Sequence, residues 1–294
     1  MQALWMLLAC VCFGTMGMMV KLVANDVSLA TVVFFRGAVP LLLLATWAMA
    51  RGHSLKSPVL HLHAKRNGAG IVAMWCGFYA TSHLPLATAT TLLYTSPIFI
   101  ALIMRLRGPS SQAVDQAAAK QQTAMIVLGF LGVVLVLQPH VSAGLGVYAA
   151  IGLIAGMVSA VAYLQLKSLG NVNEPEWRTV MYFAVTAAFT SLLAMLATSD
   201  PMIHGAFLEL GAWTWLWLIG LGFFGGAGNL ALTRSFGSGS TWMSAALQYM
   251  TIVVSAVYGW AVFNDVPNLV SWIGGAVIMA CGALSAYHTH KNKA

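Results

Sequence analysis

Charge is what this chain has least of. Asp, Glu, Lys and Arg make up 7% of its 294 residues, against about 25% in a soluble domain. Such a chain has too little polar surface to face water all round, which excludes a cytosolic enzyme, a nucleic-acid binder and a secreted disulfide scaffold. Acids are scarcer still, at seven. Asp26, Asp200, Glu209 and Asp265 fall between or at the ends of apolar runs, as do Asp115, Glu174 and Glu176. None lies in mid-run. Buried carboxylates are the usual proton and cation relays of pumps, and a cationic cargo would meet no fixed counter-charge here. The cargo expected is neutral, zwitterionic or anionic. Cysteine is equally sparse: Cys10, Cys12, Cys76 and Cys281 all sit in apolar segments, with no disulfide framework.

What the chain does hold is hydrophobic residues, 60% of the total. A helix needs about 20 of them to cross a hydrocarbon core of about 30 Å. That ruler marks ten spans, at 4–23, 29–50, 67–82, 86–104, 122–137, 146–166, 177–197, 213–233, 240–263 and 268–287. His83-Leu84-Pro85 separates the third from the fourth as a tight hairpin rather than one long kinked helix. With both termini inside, every Lys and Arg except Lys21 and Arg36 falls in an inner loop or the C-terminal tail, Arg107 and Lys293 included. The outer loops hold Asp26, Asp200, Glu209 and Asp265 and no base. This is the positive-inside pattern, and it predicts a multi-pass protein with cytoplasmic ends. The first span has neither a basic leader nor a small-residue cleavage site, so it is expected to be retained.

Five spans per half means that the second half enters the membrane from the opposite side, so duplication would give an inverted repeat. MMVKLV at 18–23 and LQLKSL at 164–169 close the first helix of each half, and Tyr94 and Tyr249 take similar places in the fourth. The stretches LPLATATTLLYTSPIFIAL (84–102), GVVLVLQP (132–139) and AVFNDVPNLVSWIGGAVIMACGAL (261–284) together resemble the drug/metabolite transporter superfamily in its ten-helix EamA form. Within it the chain looks most similar to the YddG-type bacterial exporters of aromatic amino acids. It departs from the family after the fourth helix, where RLRGPSSQ (105–112) lacks the frequent Gly-Glu. The four-helix relatives use a Glu in the first helix, where this chain reads CFGTMG (12–17). The resemblance implies an all-α membrane protein of ten transmembrane helices, two inverted five-helix repeats (1–143 and 144–294) around a central cavity. It also implies the bacterial inner membrane, with the fifth and tenth helices peripheral.

Two cations enter the bilayer. Arg36 is about eight residues, or about 12 Å, into the second span. Either it attracts a substrate carboxylate or it snorkels. Lys21 is near the end of the first span, where the helix dipole favours a cation, and pairs most simply with Asp26. Trp75, Tyr79 and His83 share one face of the third helix. Trp5, Trp213, Trp215, Trp217 and Trp272 lie near span ends, as belt residues do. Tyr79, Tyr94, Tyr163, Asn229, Gln248 and Tyr249 lie further in, where an unpaired polar group is costly. They are expected to line a cavity suited to a flat ring and a polar backbone.

Other signals are decoys. GLGFFG at 220–225 matches a dinucleotide pattern but has no strand before it, and Gly222 with Gly226 reads as a GxxxG helix contact. His61-x-His63 and His288-x-His290 are two-ligand sets in basic segments, so no metal or other cofactor is expected. Gly14, Gly17, Pro40, Pro97, Gly225 and Gly228 allow kinks and sliding. An intramembrane enzyme would need a buried acid pair or several deep His residues; a channel would need rings of identical polar groups. The expectation is a non-enzymatic secondary transporter exporting amino acids, aromatic or bulky apolar ones first, or else another small neutral or anionic metabolite. It would bind its substrate with Tyr79, His83, Tyr94, Tyr163, Asn229, Gln248, Tyr249 and Arg36. It would need the bilayer but no nucleic acid and no obligate protein partner. With His83 the only candidate proton carrier, uncoupled movement is favoured.

Overall fold

A computed structural model describes residues 2–106, 116–139, 145–205 and 209–291. Arg107, Asp115, Lys293 and the junction between halves near 143 lie outside the described residues. Twelve α-helices account for nearly all of the described chain, and it contains no strand. They are α1 (Gln2–Val23), α2 (Leu29–Ala50), α3 (Leu60–His83), α4 (Leu86–Leu93), α5 (Ser96–Leu106) and α6 (Gln116–Leu137), then α7 (Gly146–Asn171), α8 (Glu176–Ala197), α9 (Ala212–Ser238), α10 (Thr241–Leu247), α11 (Met250–Phe263) and α12 (Leu269–Lys291). Counting α4 with α5 and α10 with α11 gives ten crossings. Nine of them are long and apolar enough to span a membrane by length and composition alone. The tenth, α3, carries Lys65, Arg66 and two His near its start.

The helices run between an end rich in Lys and Arg, called here the basic end, and an end holding Asp26, Asp200 and Asp265, the acidic end. Leu42, Leu43, Phe189, Leu193, Trp213 and Trp272 are exposed on the outside, as lipid-facing residues must be. Inside, glycine sets the packing. A Cβ on Gly222 would lie 2.5 Å from the Phe35 carbonyl oxygen, and one on Gly226 would lie 2.6 Å from Pro40 Cβ. The GxxxG pair is therefore where α9 meets α2, with no bearing on a nucleotide. Gly132 and Gly274 do the same for α6 and α12, each facing the other's carbonyl oxygen at 2.8 and 2.6 Å. The fifth and tenth crossings thus pack on one another.

The fourth and ninth crossings are broken at matching places. Between α4 and α5, Pro97 has no N–H for the Leu93 carbonyl, and the chain tightens into the three-residue bond Thr95 N–Leu92 O (3.2 Å). Gly156 of α7 lets this turn approach: a Cβ there would meet Thr95 Oγ1 at 2.3 Å. Between α10 and α11 no proline intervenes. Thr251 N bonds Gln248 O (3.2 Å) instead of the Leu247 carbonyl, and Leu247 O takes the Cys10 thiol of α1 at 3.4 Å. Non-helical backbone at membrane depth needs such replacement partners.

Both ends of the bundle are cross-linked. At the basic end Gln2 bonds the Ser240 carbonyl (2.8 Å) and Ser244 Oγ (3.1 Å), tying α1 to the start of α10. Lys167 Nζ reaches the Gly239 carbonyl at 3.0 Å. At the acidic end Asp200 accepts from Ser28 and Thr31, and Lys21 pairs with Asp265 at 2.9 Å. Lys21 therefore does not pair with Asp26, which accepts from Thr214 Oγ1 at 2.9 Å. The start of α11's exit loop, rather than the α1–α2 turn, comes within reach of the ammonium.

Candidate functional site

Two arginines enter the bundle from opposite ends. Arg36 is seven residues into α2 from the acidic end, and Arg66 six residues into α3 from the basic end, each about 10 Å deep. Arg66 is not the loop residue that a third span starting at 67 implies. Helix α3 begins at Leu60, and Arg66 is 4% exposed. Its guanidinium lies on the Phe183 ring of α8 at 3.8 Å. It runs inward: a Cβ on Gly70, one turn deeper, would sit 2.9 Å from Nη1. The Arg36 stem lies against Gly225 of α9, with 3.4 Å from Cγ to a Cβ there.

Tyr163 of α7 joins them. Both guanidiniums act electrostatically on its hydroxyl, and Arg36 on Arg66. Gln248, at the α10–α11 break, lies near the same hydroxyl. Tyr94, at the α4–α5 break, approaches Thr251 and also feels Tyr163 and Cys10. Both breaks thus deliver a polar side chain to the place where the arginines converge. Arg36, Tyr94 and Tyr163 are each half-buried.

The electrostatics of this space are one-sided. Arg36 Nε, Arg66 Nε and Nη1, and Gln248 Oε1 are buried without a hydrogen-bond partner among the described residues. The ion pairs among the described residues are Lys21–Asp265, His63–Glu174, Arg178–Glu174 and Arg234–Glu176; neither Arg36 nor Arg66 takes part.

Four of the eight residues expected from sequence therefore meet: Arg36, Tyr94, Tyr163 and Gln248. Of the other four, Asn229 is one turn from Gly225, against which the Arg36 stem lies, while Tyr249, Tyr79 and His83 point elsewhere. Tyr249 points away, its ring filling the space beside Gly129 of α6 (2.9 Å to a Cβ there) and close to Cys281 of α12. Asn229 donates to its own helix at the Gly225 carbonyl, 3.0 Å. Tyr79 and His83 stand at the acidic end, where the His83 ring stacks on Tyr148 at 4.4 Å. Sequence reasoning missed Arg66 because charge was taken to end a span. It also missed His63, which is buried at the basic end with Nε2 3.1 Å from both Ser57 Oγ and Glu174 Oε1. Among the described residues, no three His, Cys, Asp or Glu side chains come together to hold a metal ion.

A chain of apolar crossings, two of them broken at matching places, has the form of a carrier. Comparison with known families decides the matter: the model of the EamA-like transporter family matches residues 1–138 and again 145–287. The chain belongs to that family. A pseudopaline exporter of Pseudomonas aeruginosa is 28% identical to this transporter over 95% of its length and 93% of the relative's. A riboflavin transporter of Vibrio cholerae is 22% identical over 99% and 95%, and an S-adenosylmethionine uptake transporter of Rickettsia bellii is 21% identical over 98% and 93%. Aromatic amino acids are not among the substrates those names carry. A solved crystal structure superposes with a TM-score of 0.80 at 16% identity, covering 98% of both chains, and so shares the fold.

Proposed function

We propose that this EamA-like protein is a secondary transporter that exports small amino-acid-type metabolites bearing a carboxylate, by alternating access between two inverted halves in a bacterial inner membrane. The observation that carries the reading is Arg36, held deep in the bundle with a buried, unpartnered Nε and no ion pair. A lone intramembrane arginine costs about 2.5–3.5 kcal/mol even on insertion scales, a cost that an arriving carboxylate offsets by fork-to-fork hydrogen bonds. Tyr163 and Gln248 then address the substrate's remaining polar groups, and the rings of Tyr94 and Tyr163 face its side chain. Free aromatic amino acids fall within this class. The pseudopaline exporter's name supports outward transport, while the S-adenosylmethionine name shows that a relative takes up cargo too. The excess of Lys and Arg at the end where α1 begins supports cytoplasmic termini.

The test is counterflow in proteoliposomes loaded with tryptophan, phenylalanine, glutamate or lysine. Saturable exchange of labelled tryptophan, with none of tryptamine, is expected. Arg36→Gln should weaken it by about ten- to hundredfold, since a hydrogen bond to a charged group contributes about 1.5–3 kcal/mol. If no loaded carboxylate drives exchange, or Arg36→Gln exchanges like the unaltered protein, the reading is wrong.

A further inference from the structure

The site holds two arginines, and one carboxylate accounts for only one of them. We propose that the substrate carries a second carboxylate, bound by Arg66, so that Arg36 and Arg66 clamp a dicarboxylate between them; this rests on the carboxylate reading of Arg36 above.

A structural role for Arg66 would leave it either paired with an acid or snorkelling to the near surface. It does neither. Its guanidinium takes part in no ion pair among the described residues and extends toward Gly70, deeper into the bundle. Glu174, the buried acid of the basic end, is engaged instead by His63 and Arg178 at 3.1 and 3.2 Å. The Arg66 guanidinium carbon lies 3.8 Å from the centre of the Phe183 ring, a cation–π contact that holds the group in place without using its N–H donors. Nε and Nη1 are both buried and unpartnered, and each belongs, with Nη2, to one of the two edges that a carboxylate meets with two parallel hydrogen bonds.

The pair is informative as a pair. Arg36 and Arg66 are near enough to act on one another and on Tyr163, neither is paired with an acid among the described residues, and like charges in a space of low dielectric are costly. A monocarboxylate relieves half of that; a dianion relieves it fully. The tyrosine hydroxyl between the two forks is placed to donate to either carboxylate. The planar, bidentate fork selects a carboxylate over a spherical anion, and the absence of a lysine among these groups sets the site apart from one built on point charges.

The experiment compares two compounds of equal chain length, 2-aminoadipate and norleucine, which differ in having a second carboxylate or a methyl group. Counterflow of each is measured in proteoliposomes containing the whole chain, unaltered or carrying Arg66→Gln or Arg66→Lys. The expected result is a half-saturating concentration at least tenfold lower for 2-aminoadipate. Arg66→Gln should raise that value to the norleucine level while leaving norleucine itself within about twofold, which also shows that the variant folds. Arg66→Lys, which keeps the charge but loses the fork, should fall between. Equal half-saturation for the two compounds in the unaltered protein overturns the clamp, as does Arg66→Gln weakening both alike. Inorganic phosphate competing as strongly as 2-aminoadipate overturns the assignment to carboxylates. Exchange of norleucine alone sinks only the second carboxylate; exchange of neither sinks the proposed function with it.

Discussion

Gly222→Ala tests whether the α2–α9 contact holds Arg36 in place. A Cβ at 222 would meet the Phe35 carbonyl oxygen at 2.5 Å and Val39 Cβ at 2.6 Å. Ordinary contact begins near 3.4 Å, so the two helices must part by roughly 0.9 Å (3.4 − 2.5). The nearest obstacle is a helix carbonyl, which is unable to swing aside as a side chain does. The neighbouring contact of Gly226 with Pro40, at 2.6 Å, stops α2 from simply tilting about that point. Overpacking of this kind costs about 1–3 kcal/mol. Alanine's better helix propensity returns at most about 1 kcal/mol, leaving a net loss of up to about 2 kcal/mol. That corresponds to a fall of a few degrees in the melting midpoint, read by tryptophan fluorescence in detergent. Arg36 lies between Phe35 and Val39, so the displacement of α2 also moves the guanidinium relative to Tyr163, and counterflow should fall by more than the loss of folded protein. Gly17→Ala is the control: nothing lies within 4 Å of a Cβ there, and both stability and exchange should hold. If Gly222→Ala melts and exchanges like the unaltered protein, or Gly17→Ala is equally damaging, the close approach of α2 and α9 is not what positions Arg36.

Two tyrosines that look alike in sequence should behave differently. Tyr163→Phe removes the hydroxyl that faces both arginines and should cut counterflow about tenfold, at about 1.4 kcal/mol per decade, with stability unchanged. Tyr249→Phe removes a buried hydroxyl that has no partner among the described residues and should leave exchange intact and stability equal or up to about 1 kcal/mol higher by thermal melting. His63, in the first turn of α3 before the expected span, has its pKa lowered by burial against the opposing pull of Glu174, with Arg178 and Arg66 adding to the lowering. The fold therefore favours the neutral ring: stability is whole above the ordinary imidazole value of about 6.5 and declines as pH falls below it. His63→Gln should flatten that part of a melting-against-pH curve; an unchanged slope would exclude His63 as its source. Lys21→Met breaks an ion pair whose two side chains are largely exposed and should shift the melting midpoint by less than about 1 kcal/mol allows.

The crossings were legible because hydrocarbon thickness dictates their length. The second span, 29–50, coincides with α2, and the seventh, 177–197, differs from α8 by one residue. The third shows where the rule fails. Lys65 and Arg66 looked like a loop because charge marks the end of an apolar run, yet helical hydrogen bonding does not depend on hydropathy, and α3 starts seven residues earlier. The same rule concealed Arg66 from the site. The two breaks differ in the same way. Pro97 announces the first by lacking an N–H, while the second rests on the swap from the Leu247 carbonyl to that of Gln248 and on a thiol from α1. That swap depends on a contact 237 residues away in sequence, which local pattern does not carry. Depth was the ground on which Arg36, Tyr94, Tyr163 and Gln248 were grouped, and Tyr249 and Asn229 with them; depth says how far in a side chain sits and nothing about which way it points, and Tyr249 turns its ring toward Gly129.

That difference in direction is itself part of how such a site works. Tyr94 and Tyr249 occupy corresponding breaks, yet one faces the interior and the other the contact with α6 and α12. At the second break the inward position falls to Gln248, one residue earlier, so a ring in the first half is answered by an amide in the second. Arg36 and Arg66, by contrast, both come from the first half, and Tyr163 and Gln248 both from the second. Charge therefore comes from one half and neutral hydrogen bonding from the other. A carrier whose halves move against each other gains from that division: a bound anion brings groups from both halves onto one molecule, and parting them without it exposes two uncompensated guanidiniums. On the proposed carboxylate reading, the substrate's charge would then lower the energy of the crossing itself as well as of the bound state. A variant that moves one charge across the interface, such as Arg66→Gln combined with Gln248→Arg, should bind 2-aminoadipate with an affinity nearer to that of the unaltered protein than Arg66→Gln does. It should still exchange it more slowly, because the same charges would now separate as the halves part. Recovery of rate together with affinity would show that the division of charge between the halves has no role in movement.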